Sequence, residues 1–370
     1  MSVVKALSEL VSIPSSYPNE EKIGRYIEKM LKEMGFKVNL QKVGDKRFNI
    51  LAEKGKGPAL LIFGHLDTVE KKEGWRTNPY RLTENGDKLY GLGAWDMKAG
   101  VAAALSSAKD FTNKNRAIKL AFVVDEEFVS LGMHTLIESG WLNNVVGAVC
   151  PEPGFDYGIK GIAIGRVGRP VFKINVKTKG GHVYLARSRP NAIEEANKVL
   201  GIIKKIKPIH HKDLGNSYLF PRSISAKDLS MGIPDFVEME VEGQTVPLQT
   251  SQSVLQELKN IVNEETKKGK IRAEVFIALL ERPTPFCEPF AISKRNSFVQ
   301  FVKANLEATI KDKPVLYYRR SVGDENRVAS LGIPVITVGP EGGNAHEANE
   351  WVSKKSLLTL EPFFKRLLSN

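Results

Sequence analysis

Cysteine is scarce in this chain, and its scarcity excludes two kinds of protein. The 370 residues include only Cys150 and Cys287, and no C-x-x-C pair is present. Small secreted scaffolds depend on several disulfides, and structural zinc sites usually bind the ion through several thiolates. Two isolated cysteines provide neither arrangement, so the sequence predicts a protein of a reducing compartment and argues against a thiolate zinc site.

Long apolar runs are missing as well. No stretch approaches the ~18 apolar residues that are needed to cross a bilayer. The opening segment, MSVVKALSELVSIPSSYPNEEK, lacks the charged head, apolar core and small-residue cleavage site of a secretory signal. Together with the cysteine usage, these absences predict a cytoplasmic protein.

The charge balance is strongly basic, with a net charge of +12. Much of the excess lies in two runs, KKIKPIHHK (204–212) and ETKKGKIR (265–272), which contain no aromatic residues. Neither run belongs to a nucleic-acid-binding motif, so we interpret them as solvated faces and do not expect nucleic acid as a partner. An anionic substrate or an acidic partner protein, steered by the net charge, stays open.

The order of predicted elements indicates two domains, one of them inserted into the other. Strands and helices alternate through 1–167, which predicts the first part of a three-layer α/β domain. From 168 to 283 the order becomes βαββαβ, the ferredoxin-like pattern. The α/β pattern then resumes over 284–370, so the middle segment is expected to form a separate lid or dimerisation domain.

A His and an Asp follow the apolar run ALLIFG (59–64) at positions 65 and 67. Residues two apart on a strand point the same way, so His65 and Asp67 are expected to face one site. A metal-bound His normally bonds a carboxylate through its other ring nitrogen, and Asp67 has that chemistry. The alternative is a pair that only caps the end of a strand by hydrogen bonding to a loop.

Five polar clusters occupy comparable places, each after a predicted strand or at the start of a helix. They are GHLD (64–67), AWDMKAG (94–100), VVDEEF (123–128), CPEPG (150–154) and NAHEANEW (344–351). Their candidate ligands contain no sulfur: His65, Asp96, Glu127, Glu152 and His346. Imidazole and carboxylate ligands suit catalytic Zn²⁺, Co²⁺ or Mn²⁺. Five ligands exceed one tetrahedral ion but suit two ions that share a carboxylate.

The order of these motifs, H-x-D, D-M-K, D-E-E, E-P and a late H-E followed by N-E, resembles the M20 family of metallopeptidases and deacylases. That family includes acetylornithine deacetylase, succinyl-diaminopimelate desuccinylase and carboxypeptidases. The resemblance extends over essentially the whole chain, including the inserted segment. It implies a dinuclear metal-dependent amide hydrolase, of a kind found in amino-acid biosynthesis, with a lid domain that pairs two copies into a dimer.

The resemblance also implies a role for each motif residue. Asp96 would bridge two ions, with His65 and Glu152 completing one site and Glu127 and His346 the other. Glu126 would be the general base, and Asp67 would orient His65. His182, after two glycines in the inserted segment, would stabilise the oxyanion of the tetrahedral intermediate.

Two departures from the family pattern affect how a substrate carboxylate would be bound. Gln244 in VEGQTVP and Asn326 in VGDENR stand where relatives commonly carry arginine, which leaves Arg320 and Arg327 as nearby candidates. Asn326 is therefore a candidate substrate contact, and an Asn at this position resembles the pattern of deacylases that include some acting on an acidic carrier protein.

The leading interpretation is an N-acyl-amino-acid deacylase. A dipeptidase or carboxypeptidase is the alternative, and a non-catalytic metal-binding protein is a more remote one.

Overall fold

The computed structural model describes residues 2–113, 115–226 and 231–370, which form two compact units. The first unit comprises 1–165, 292–318 and 323–370, and the second comprises 166–291 and 319–322. Within the described residues, no helix has both the length and the apolar character needed to cross a bilayer.

The first unit is a mixed α/β structure. Its amino-terminal part contains helices α1 (Val3–Val11), α2 (Glu21–Glu33), α3 (Ala99–Ala108) and α4 (Leu131–Glu138), and strands β1 (Lys37–Gly44), β2 (Arg47–Lys54), β3 (Ala59–His65), β4 (Thr83–Asn85), β5 (Lys88–Tyr90), β6 (Ala117–Val123), β7 (Val145–Cys150) and β8 (Gly161–Arg166).

The second unit follows in the chain. It contains strands β9 (Val171–Lys177), β10 (Gly181–His182), β11 (His210–His211), β12 (Gly215–Asn216), β13 (Tyr218–Ser225), β14 (Gly232–Ile233), β15 (Phe236–Gln244), β16 (Glu274–Leu279) and β17 (Phe290–Ala291), with helices α5 (Ala192–Ile203) and α6 (Ser251–Lys267). The chain then adds α7 (Ser297–Ile310), β18 (Val315–Arg319), α8 (Asp324–Ala329), β19 (Val335–Thr337), β20 (Gly342–Gly343), β21 (Trp351–Ser353) and α9 (Lys354–Ser369).

The main sheet of the first unit has the strand order β1-β2-β6-β3-β7-β19-β8. Its centre is parallel, because β3 runs parallel to β6 and β7, and β19 parallel to β7. Every residue of β3 and β6 is buried, as the continuous apolar runs predict for central parallel strands. The carboxyl ends of these strands therefore meet at one edge of the sheet, where ligand sites of α/β proteins form.

The second unit has the predicted βαββαβ order, with a four-stranded antiparallel sheet β13-β15-β9-β16. Alternate residues of β9 and β15, such as Ile174 and Met239, are buried against α5 and α6. Thr250 begins α6 with a capping box that it shares with Ser253, which satisfies main-chain donors at that helix end. The predicted α/β fold is thus confirmed, and the element order of the second unit is consistent with the predicted βαββαβ insertion.

Several element ends differ from the sequence prediction. The apolar run after 117 predicts a strand to 127, but β6 ends at Val123 and the chain turns at Asp125, whose φ is +76°. The run after 145 predicts a strand to 153, but β7 ends at Cys150. The strand predicted over 217–227 is β13, and residue 227 lies outside the described residues.

Candidate metal centre

A first cluster of candidate metal ligands forms at the carboxyl ends of β3 and β7. His65 ends β3, and its Nε2 lies 3.2 Å from Oδ1 of Asp96 and 3.4 Å from Oε1 of Glu152. His65 and Glu152 are both buried. Glu152 passes so close to the residues after β19 that a Cβ at Gly339 would lie 1.7 Å from its main-chain oxygen, so only glycine fits there.

A second cluster lies beside the first and is more open to solvent. Nε2 of His346 lies 3.1 Å from the Glu127 carboxylate and 3.4 Å from Oδ2 of Asp96. The His346 side chain is 51% exposed, whereas that of His65 is 1% exposed. The structure thus brings together all five ligands that the sequence analysis proposed.

Asp96 belongs to both clusters and gives a different oxygen to each. Its Oδ1 faces His65, and its Oδ2 faces His346. In each cluster of three residues, the ligand atoms lie within 4.8 Å of one another. One carboxylate with an imidazole on each side is the geometry that a bridging ligand of two cations requires.

The electrostatics of the clusters also fit cations. Hydrogen bonds to Asp96 and Glu127 raise the pKa of His346 to about 10. Burial alone would lower the pKa of His65, but its bonds to Asp96 and Glu152 raise it well above the usual range. Without a cation the carboxylates therefore favour the protonated form of both imidazoles, and a divalent cation would displace such protons on binding. The donor set fits two divalent cations.

Asp67 holds His65, but in a different way from the one predicted. Nδ1 of His65 lies 2.9 Å from the main-chain oxygen of Asp67 and must donate to it, because a carbonyl oxygen only accepts. In the neutral imidazole this bond leaves the lone pair of Nε2 directed at the cluster. The Asp67 carboxylate lies 3.7 Å from Nδ1 and instead accepts hydrogen bonds from the main-chain N–H groups of Glu126 and Glu127.

Glu126 lies in a turn after β6, not on an extended strand. Removal from water raises the pKa of its carboxyl well above the usual range, and the negative charge of Glu152 adds to this effect. Glu127 is a member of the second cluster, whereas Glu126 is in neither cluster. The turn therefore separates the two adjacent carboxylates into different positions.

Two acidic residues near the clusters were missed by the sequence analysis. Glu350 is buried and accepts hydrogen bonds from main-chain groups of the turn that carries Asp96. Burial raises the pKa of Asp324 to about 7, and its charge acts on Glu126. Glu350 lies in NAHEANEW, the motif noted for His346, and Asp324 lies in VGDENR, the motif noted for Asn326. The sequence carries no other signal for either residue.

The candidates His182 and Asn326 lie outside both clusters, as does Gln244, which stands where relatives commonly carry arginine. Oδ1 of Asn326 accepts a hydrogen bond from the N–H of Gly323 at 3.0 Å and so caps α8. Gln244 is buried in the second unit, where its amide donates to the main-chain oxygen of Asn216. His182 is exposed in the second unit, and its Nδ1 accepts from the N–H of Tyr184. The roles of His182 and Asn326 toward a substrate remain predictions.

An α/β sheet with two His–carboxylate clusters at the carboxyl ends of its strands is the arrangement expected of a dinuclear metal-dependent hydrolase. Residues 61–370 match the model of peptidase family M20/M25/M40. The chain belongs to this family, and it is a metal-dependent hydrolase of amide bonds.

Similar proteins cover the chain almost completely, at low identity. A probable succinyl-diaminopimelate desuccinylase of Staphylococcus aureus (strain MRSA252) is 24% identical over 404 residues, covering 98% of this chain and 95% of the relative. A tripeptidase from Staphylococcus aureus subsp. aureus Mu50 has a similar structure, with a TM-score of 0.81, 17% identity and coverage of 99% and 97%. A dinuclear metal binding peptidase of the M20 family from Bacillus subtilis superposes with a TM-score of 0.76, 16% identity and coverage of 99% and 96%.

Proposed function

We propose that the chain removes an acyl group from an N-acyl amino acid. The observation that carries the proposal is a carboxylate, Glu126, that stands beside a complete set of metal ligands without belonging to either cluster. A protein that only binds metal has no use for such a base. The similarity to a desuccinylase along nearly the whole chain supports an acylated amino acid as the substrate.

We propose that the clusters hold two divalent ions, with Zn²⁺ as the first candidate and Co²⁺ or Mn²⁺ as the others. Nitrogen and oxygen ligands without sulfur fit all three ions. Bound there, the ions would supply Lewis-acid chemistry, which lowers the pKa of water and polarises the amide carbonyl.

The side chains of the protein supply the proton transfers and the positioning. Glu126 would accept the proton that the attacking water loses and pass it to the nitrogen of the leaving amine. Asp67 fixes the main chain of Glu126 and keeps His65 in the tautomer that binds through Nε2. We propose that His182 donates to the carbonyl oxygen as negative charge develops on it.

A dipeptidase or carboxypeptidase is the second candidate, because water attacks an amide carbonyl in both reactions. The fold shared with a tripeptidase favours this alternative, although at 17% identity the likeness concerns the fold alone. The two candidates differ in the group on the carbonyl side of the bond. It is a simple acyl group for a deacylase and an aminoacyl group for a peptidase.

A substrate panel decides between these candidates. Purified protein with added Zn²⁺ or Co²⁺ would be assayed on N-acetyl and N-succinyl amino acids and on di- and tripeptides, with Glu126→Gln as the matched control. We expect the higher kcat/KM on an acylated amino acid. Faster peptide cleavage would favour the alternative, and no turnover on any member despite two bound ions would argue against both.

Partners of this chain are proposals of the same kind. We propose a homodimer formed through the second unit, which light scattering would test. We also propose an acidic carrier protein as one form in which the acyl group could be presented, because the net charge of +12 would steer an acidic polypeptide toward the chain. Turnover of a carrier-linked substrate would then fall steeply as salt is added, whereas turnover of a free acylated amino acid would not.

A further inference from the structure

We infer that Glu350 is a positioning residue that fixes the bridging Asp96 relative to His346. The inference rests on the proposed metal centre, because both residues are proposed ligands there. Glu350 is 2% exposed. Its carboxylate accepts three main-chain hydrogen bonds, from Gly93 at 2.6 Å, from Trp95 at 2.8 Å and from Asp96 at 2.8 Å.

The turn that carries Asp96 needs such a partner. Residues 94–98 form a short turn in which Asp96 (φ −112°, ψ 95°) and Met97 (φ −128°, ψ 33°) depart from helical geometry. Gly93 before it has φ +70°, so the N–H groups of the segment point inward together instead of along a regular helix. Converging main-chain N–H groups form a site for an anion, and the carboxylate of Glu350 supplies one.

A buried carboxylate is costly unless hydrogen bonds or a counter-charge compensate it. Glu350 has three hydrogen bonds, and it interacts electrostatically with the buried amino group of Lys98. Nζ of Lys98 donates to the main-chain oxygen of Ile13 at 2.9 Å, so this amino group is itself held in place. The carboxylate is therefore a fixed component of the turn.

Glu350 also belongs to the segment that carries His346, four residues earlier in the chain. That segment is irregular, since His346 and Asn349 both have φ +62°. Asn349 anchors it on one side through the main-chain oxygen of Gly74 at 3.0 Å, and Glu350 anchors it to the Asp96 turn. The distance of 3.4 Å between Asp96 Oδ2 and His346 Nε2 thus spans two segments that Glu350 ties together.

The first cluster depends less on this tie. His65 is the last residue of β3, whose whole length is paired in the main sheet, and Glu152 lies two residues after the end of β7. Only Asp96 among its three ligands rests on the Glu350 carboxylate. In the second cluster, both Asp96 and His346 lie on segments that Glu350 joins. Loss of the carboxylate should therefore lower the zinc affinity of the second site more than that of the first.

Titration of the metal-free protein with zinc chloride tests the inference. In Glu350→Gln the side chain keeps its shape, but the amide nitrogen faces N–H donors and cannot accept from them. We expect one site to keep nearly its wild-type affinity and the other to weaken by ~10–100-fold, as is typical when a residue that orients a ligand is changed. Glu347→Gln removes a charge from an exposed residue of the same segment and should leave both affinities unchanged.

Glu350→Asp provides the second variant, because it keeps the charge but shortens the reach to the turn. It should also lower the zinc affinity of one site selectively, by a smaller factor than Glu350→Gln does. Unchanged zinc affinities in Glu350→Asp, or equal weakening of both sites together with a lower Tm, would overturn the inference, even if Glu350→Gln does not fold. Failure of the wild-type protein to bind two zinc ions would instead overturn the proposed metal centre.

Discussion

Asp67 accepts a hydrogen bond of 3.0 Å at its Oδ2 from the main-chain N–H of Glu127. Asp67 follows β3 and Glu127 follows β6, and these two strands are parallel neighbours. The main-chain oxygen of Asp67 also holds His65. Asp67 therefore holds one proposed ligand of each cluster, Glu127 through its carboxylate and His65 through its main-chain oxygen.

We predict that Asp67→Asn lowers kcat by ~10–100-fold. The variant keeps one acceptor oxygen but turns an amide nitrogen toward the N–H of Glu126 or of Glu127, so one hydrogen bond is lost. Steady-state kinetics with saturating zinc would measure the effect. Asp87→Asn is the matched control, because Asp87 also accepts a main-chain N–H, from Lys355, but is in neither cluster. Equal kinetics in the two variants would contradict the prediction.

We predict that zinc stabilises the folded protein through these clusters. A cation at 100 times its Kd adds about 2.7 kcal/mol to the free energy of unfolding for each site that only the folded state offers. Thermal unfolding with zinc and with a chelator would measure the change in Tm. Asp96→Asn should lose at least one ion by elemental analysis and show a smaller shift. Two ions in that variant would show that Asp96 is not required as a bridge.

The residues of the two clusters could be predicted because each follows a signal that is local in the sequence. The apolar runs of β3 and β6 indicate central strands, and polar residues directly after such strands reach the same edge of a parallel sheet. The strands β4, β5, β20 and β21 have only two or three residues each. Segments this short cannot show a recognisable strand pattern, so they were not predicted.

The supporting contacts could not be predicted in the same way. Glu350 bonds main-chain groups more than 250 positions away in the sequence, and main-chain N–H groups leave no residue pattern to read. The carboxylate of Asp67 was expected at the ring of His65. The path of the loop after β6 decides which groups the Asp67 carboxylate contacts. This path depends on Asp125, which has a left-handed conformation although the apolar and acidic residues around it resemble a strand.

For His182 we predict that replacement by alanine lowers kcat and kcat/KM by similar factors while two ions stay bound. An interaction made mainly in the transition state has this signature, and a single oxyanion donor contributes ~2.7–4 kcal/mol. His210→Ala is the matched control, because His210 is another exposed imidazole of the second unit. A change in turnover below twofold would show that His182 has only a structural role in its turn. A rise in KM alone would show that it contacts the substrate in the ground state.

Glu126 and Glu127 are adjacent in the chain, and substitution by glutamine should affect them in opposite ways. Glu126→Gln removes the proton acceptor but no ligand, so we expect kcat to fall by ~10²–10⁴ with two ions bound. Glu127→Gln removes a carboxylate that lies 3.1 Å from His346, so we expect loss of the ion at the second cluster. Elemental analysis together with single-turnover kinetics separates the two effects. Unchanged turnover in Glu126→Gln with both ions present would remove its assignment as the base, and full occupancy in Glu127→Gln would remove that of the ligand.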